Sequence, residues 1–200
     1  MIDVRVLSAV EARGWVHGWP THLISLLDPS DTALVARSPR PDLEHLVLLL
    51  ADVTDPDHPD APTRDHVRQL LACGAGLTPG ARLLVHCRGG IGRSSAAAIV
   101  ALVASGEPAH EALEAVLEVR PQAKPNPLLL LLADELRAPP PGQGMFAVWA
   151  GWASRQDAWW PVPNSVVRDA VAGRLSQHAC VELAKAQTHR KRDVDTGRWR

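Results

Sequence analysis

The side chains best placed to do chemistry lie in one short stretch, Leu83-Leu84-Val85-His86-Cys87-Arg88-Gly89-Gly90-Ile91-Gly92-Arg93-Ser94-Ser95. An aliphatic run ends on Cys87. Five residues follow before Arg93, and three of those five are glycine. Glycines let successive backbone N–H groups turn toward one centre and form an anion-binding nest. A helix beginning at Ser94 adds unpaired N–H groups and the positive end of its dipole. Arg93 supplies a fork for two more oxygens. The expected product is a cradle for a tetrahedral dianion, built from Arg88, Gly89, Gly90, Ile91, Gly92 and Arg93, with a sulfur at its floor. The same field favours thiolate over thiol and makes Cys87 a candidate nucleophile.

Such a loop needs a strand before it and a helix after it, and residues 1–138 supply an alternation of both patterns. Ile2 to Leu7 alternates apolar and polar residues as a half-buried strand does. Ser8 is a candidate cap for a short helix after it. Thr21 to Leu27 reads as a second strand, closed by Asp28-Pro29-Ser30. His45 to Ala51 is nearly all aliphatic, which predicts a central strand covered on both faces. A polar loop, Asp52 to Pro62, holds Asp52, Asp55, Asp57 and Asp60. Thr63 is a candidate N-cap for a helix to about Leu77, and Ala81 to His86 is a further strand. Helical patterns then run from Ser94 to about Ser105, Glu107 to Val119 and Pro127 to Arg137. The alternation predicts an α/β fold, a mostly parallel central sheet flanked by helices.

Pro139-Pro140-Pro141-Gly142 breaks the composition and predicts a boundary between residues 1–138 and an extension, 139–200. Five of the seven Trp fall between Trp149 and Trp199, and the tail is basic around Arg190-Lys191-Arg192. Trp149 and Trp152 would share a helix face, and the expected role is a satellite cluster packed on the first unit.

The composition of the 200 residues, 46% hydrophobic and 22% charged, is globular and excludes a wholly disordered chain. A formal charge of -1 gives no global signal for a nucleic-acid partner. Of the 21 basic residues 18 are Arg, and Tyr is absent. Cys73, Cys87 and Cys180 are too few for a disulfide scaffold. The start Met1-Ile2-Asp3-Val4-Arg5 has no signal-peptide pattern, and the apolar runs Ala96–Ala104 and Leu128–Ala133 are far short of a transmembrane segment. These features together predict a cytoplasmic location.

The strand–loop–helix resembles the signature of the cysteine-dependent protein-tyrosine and dual-specificity phosphatases, His-Cys-x5-Arg-Ser/Thr, here His86-Cys87, five residues, Arg93-Ser94. Gly90 matches the glycine inside that pattern. Arg120-Pro121-Gln122-Ala123-Lys124-Pro125-Asn126 looks like the arginine-proline…proline-asparagine segment of dual-specificity members, and His22 to Leu27 looks like their early strand. The arrangement is similar to a compact bacterial branch of the superfamily. The resemblance covers roughly residues 1–138.

It implies a protein phosphatase, tyrosine or dual-specificity, working through a phosphocysteine on Cys87. An aspartic acid would protonate the leaving oxygen and later help to activate water. Arg93 and the loop amides would stabilise the equatorial oxygens, and Ser94 would help the thiolate leave. No cofactor or metal is required, and the partner is a phosphorylated protein or another phosphomonoester. The acid is expected after the third strand: Asp52 lies 35 positions before Cys87 and Asp55 lies 32, with Asp57 and Asp60 behind them as further candidates. The tryptophan-proline-aspartate triplet of the tyrosine-specific members is absent, and so is their tyrosine-containing substrate loop.

Alternatives accompany these readings. His86 orients the loop from behind or is a satisfied core histidine. Arg88 faces substrate or solvent. Asn126 braces the loop or caps the next helix. The substrate is phosphoprotein, a phosphoinositide or a small phosphate, or the module binds phosphate without turning it over. A nucleotide P-loop is dismissed because Gly92-Arg93-Ser94 lacks the lysine. A low-molecular-weight phosphatase is dismissed because the candidate acids precede Cys87. A sulfurtransferase loop fits the Arg-Ser ending less well.

Overall fold

A computed structural model describes residues 2–36, 40–156 and 164–172. Trp159, Trp160, Cys180, Arg190 to Arg192 and Trp199 lie outside the described residues.

Four strands build the sheet: β1 Asp3–Ser8, β2 His22–Leu27, β3 Glu44–Leu49 and β4 Arg82–Cys87. All pairings are parallel and the order is β1-β4-β2-β3. The strand that leads into the cysteine loop is therefore central. It is buried from Leu83 to Cys87, as its continuous aliphatic character requires. The register sets Ser8 beside Cys87 and Ser25 beside His86. Because the strands are parallel, every loop that follows their C-termini opens on the same edge, where α/β folds place their ligands.

The helices are α1 Ala9–Ala12, α2 Arg64–Ala75, α3 Arg93–Ala104, α4 Ala109–Val119, α5 Pro127–Arg137, α6 Met145–Ala153 and α7 Asn164–Val171. A 3-10 helix, Pro29–Leu34, follows β2. The helix starts have legible causes. The Ser8 hydroxyl accepts the Glu11 N–H while the Glu11 carboxylate accepts the Ser8 N–H, a complete capping box. Thr63 caps α2 in the same reciprocal way through His66. Asn126 accepts the N–H groups of Leu128 and Leu129 at the head of α5. No side chain caps α3, so its first-turn N–H groups are left for something else.

Residues of α2 to α6 share one core with Val4, Val6, Ile24, Leu26, Leu83 and Val85 of the sheet. Gly74 lets α2 approach α3 closely, since a Cβ there would lie 2.4 Å from the Ala101 carbonyl oxygen. The other face of the sheet has a smaller cluster, in which Ala12, Val16 and Ala36 cover Leu23 and Leu84.

Two expectations need correction. The aliphatic run at His45 to Ala51 does not form a central strand. β3 is an edge strand, with Val47 41% and Leu49 39% exposed. An apolar run reports affinity for a core but not which faces receive a cover, and here only the Leu48 face is covered. The described part of the Trp-rich segment, residues 145–156, is not a satellite either. Trp149 and Phe146 of α6 are fully buried in the main core, with ring centroids 5.4 Å apart. Among the described residues no helix is long and apolar enough to cross a membrane.

Candidate active site

The loop Arg88–Gly92 is built so that its carbonyls point away from its centre, and each is taken by a group outside it. The Ala9 N–H donates to the Arg88 carbonyl at 3.2 Å. Arg120 donates from Nη2 to the Gly89 carbonyl and from Nε to the Gly90 carbonyl, at 3.1 and 3.0 Å. The Lys124 and Asn126 N–H groups donate to the carbonyls of Ile91 and Gly92, at 3.0 and 3.1 Å. With the carbonyls engaged outward, the amides turn inward. Among the described residues the N–H groups of Gly89, Ile91 and Gly92 donate to no backbone carbonyl, and that of Gly90 donates to Cys87 Sγ at 3.2 Å. Gly90 adopts φ +70°, where a side chain is strained.

Cys87 is 2% exposed at the floor. Its Sγ lies 3.2 Å from Ser94 Oγ, in the first turn of α3. Arg93 is 3% exposed. Its Nη1 donates to the Leu50 carbonyl at 2.7 Å and its Nη2 pairs with Asp28 Oδ2 at 2.9 Å. Its Nε is buried with no hydrogen-bond partner. An orphaned donor on a buried guanidinium is costly unless a ligand completes it.

Asp52 stands beside this fork, Oδ2 lying 4.0 Å from Arg93 Nε. The same carboxylate rests on the loop. A Cβ at Gly92 would fall 2.3 Å from Asp52 Oδ2, so only glycine admits the approach. Asn126 Nδ2 fixes it from the far side, donating to Asp52 Oδ1 at 2.8 Å and to the Val53 carbonyl at 3.1 Å. Asn126 therefore both braces the loop and caps α5. Asp55 is exposed and accepts the Asp57 N–H in its own turn. Arg88 is exposed and pairs with Asp31 at 3.3 Å. Ile91 is 39% exposed at the rim.

His86 is fully buried, and its Nε2 lies 2.6 Å from Ser25 Oγ. Ser25 Oγ is in turn 2.9 Å from His45 Nε2. Burial lowers the His86 pKa to about 4, so the ring is neutral at pH 7. Its side chain joins strands rather than facing solvent.

Three residues at this site escaped sequence reasoning. Asp28 and Asp31 follow β2, and their signal was positional: the end of a parallel strand next to the loop strand opens on the same edge. Arg120 was visible only as part of the arginine-proline segment. Its bonds to two loop carbonyls, and to Glu11 at 3.1 Å, depend on tertiary approach.

Over 112 residues the chain is 32% identical to "Dual specificity protein phosphatase 15" of Mus musculus and 31% identical to that of Rattus norvegicus. Each match covers 54% of this chain and 42% of the relative, so the chain spans about two fifths of the length of these curated relatives. Among solved structures, human DUSP28 superposes with a TM-score of 0.48 at 21% identity, covering 68% of this chain and 94% of that one. PTPMT1 in complex with PI(5)P superposes with a TM-score of 0.44 at 20% identity, covering 60% and 77%. No protein-family model matches the chain. Over about half of its length, therefore, the chain is similar to a dual-specificity protein phosphatase. Both curated relatives are rodent proteins, which gives the narrower likeness to a compact bacterial branch no support.

Proposed function

We propose that this chain is a metal-independent phosphomonoester hydrolase, a dual-specificity-type protein phosphatase in which residues 1–138 form the catalytic unit and 139–200 an extension of it. The observation that carries the reading is the outward bonding of all five loop carbonyls from Arg88 to Gly92. It holds the amides facing inward before any ligand arrives, so little reorganisation is needed when a dianion binds.

In this reading the phosphate sits on the loop amides and the free Nε of Arg93. The Cys87 thiolate attacks phosphorus from below. The P–O bond to the leaving group breaks, and Asp52 gives that oxygen a proton. A cysteinyl-phosphate remains. Water then attacks phosphorus, Asp52 takes its proton, the P–S bond breaks and inorganic phosphate leaves. Ser94, 3.2 Å from Sγ, donates a hydrogen bond to the departing thiolate. Asp52 is preferred to Asp55 because Asp52 lies against the loop and beside Arg93, whereas the Asp55 carboxylate closes its own exposed turn.

The expected result is hydrolysis of p-nitrophenyl phosphate that resists EDTA, is inhibited by vanadate and is abolished in Cys87→Ser. A phosphorylated cysteine should be trapped by rapid acid quench of the wild-type protein. Turnover that survives Cys87→Ser would remove the basis of this proposal.

A further inference from the structure

The acids that follow β2 and β3 are a second feature of the same sheet edge. β2 runs out into Asp28 and Asp31, and β3 into Asp52, Asp55, Asp57 and Asp60, the last four all exposed. The phosphate loop lies on β4, the strand beside β2. Residues 28–36 and 52–62, which follow the two strands, contain no Lys or Arg. The positive charges of the loop are already engaged, Arg93 with Asp28 and Arg88 with Asp31. The neighbouring cations Arg120 and Arg64 are bound to Glu11 and Glu135. The segments that follow β2 and β3 thus carry six Asp and no Lys or Arg, and Lys124 is the cation whose backbone borders the loop on its other side.

Resting on the catalytic reading above, we propose that these two acidic segments make the enzyme selective for phosphate carried on neutral or basic polypeptide segments, and unfavourable to polyanionic substrates. A single dianion reaches the inward amides and the free Arg93 Nε, and these compensate its charge. Additional negative groups around it, whether flanking Asp and Glu or the extra phosphate of an inositol lipid, meet the carboxylates of these two segments. Exposed charges act through water, so each contributes only a small factor, and several together give about tenfold at low salt.

The test compares kcat/KM for three phosphopeptides of one length, flanked by Arg, Ala or Glu, and for short-chain PI(5)P, with p-nitrophenyl phosphate as a small reference. The expected order is Arg above Ala above Glu. The extremes should differ about tenfold or more at low salt and converge as salt is raised. The double variant Asp57→Asn/Asp60→Asn should keep wild-type turnover of p-nitrophenyl phosphate while narrowing the Arg-to-Glu ratio severalfold. Equal or reversed peptide preference, or PI(5)P used better than the Arg-flanked peptide, overturns the proposal. Binding of the same peptides to the full-length Cys87→Ser protein separates this idea from the catalytic one. The same order in binding without wild-type turnover would sink the catalysis and keep the selectivity, whereas turnover with no order does the reverse.

Discussion

Asp52 illustrates how far one side chain depends on others. Its carboxylate is clamped between Asn126 Nδ2 and the glycine face at position 92, within reach of the Arg93 guanidinium. Asp52→Asn preserves the shape and leaves an oxygen for Asn126, so it isolates proton donation from positioning. Turnover of an alkyl phosphate, whose leaving group needs a proton, should fall about 10²–10⁴-fold. Turnover of p-nitrophenyl phosphate, whose leaving group is stable as an anion, should fall far less. Equal losses on both substrates would show that Asp52 acts on phosphate binding and is not the acid. Asp28 belongs to the same cluster. By pairing with Nη2 while Leu50 takes Nη1, it fixes the plane of the guanidinium and leaves Nε for the ligand.

At the scale of elements, the loop is rigid because four separate segments hold its back: α1, the Arg120 turn, the Lys124–Asn126 strip and the first turn of α3. Gly90 is where these supports converge. A Cβ there would lie 2.6 Å from Leu7 C and Ser8 N and 2.8 Å from Arg120 Nη2, on a backbone at φ +70°. Gly90→Ala must move β1 or displace Arg120. The left-handed conformation alone costs about 1–2 kcal/mol. Denaturant melts should show a loss of at least that size, and kcat/KM should drop more than tenfold because the amides lose their aim. A variant with wild-type stability and turnover would mean that the loop is not held from behind as described.

At the scale of the whole molecule, α6 is joined to α5 through one buried acid. Asp134 is 2% exposed, and its carboxylate accepts the N–H groups of Met145 and Phe146 at the start of α6. Burial raises its pKa from 3.8 to about 6 despite those bonds. Between pH 3.8 and about 6 the folded protein holds a proton that the unfolded chain releases, so this contribution to stability declines as pH rises, by about 3 kcal/mol in all. His86 has the opposite sign. Its imidazole stays neutral when folded down to about pH 4, while the unfolded ring takes a proton below 6.5. That contribution is present above 6.5 and is lost as pH falls toward 4, also by about 3 kcal/mol. The two nearly cancel over their shared window. Asp134→Asn removes the first and leaves the second, so urea unfolding of the variant should weaken from pH 6.5 to 4.5 much more steeply than that of the wild type. Parallel curves would mean that Asp134 does not titrate in this range.

The sequence by itself determined what is local. The cysteine loop, its glycines, the Ser8 and Thr63 caps and the helix Pro127–Arg137 are written in residue type and short spacing, because a nest, a cap and a helix each need only neighbouring residues. The parallel α/β class followed from the alternation of those elements. Tertiary structure alone decided which strand became an edge, since Val47 and Leu49 look as buried as Leu83 and Leu84 until the covering layer is known. It also chose Asp52 over Asp55 as the carboxylate beside Arg93, brought Asp28 and Arg120 to the loop, and merged Trp149 into the main core. These are contacts between segments far apart in the chain, fixed by register and packing, and no pattern within a single segment encodes them.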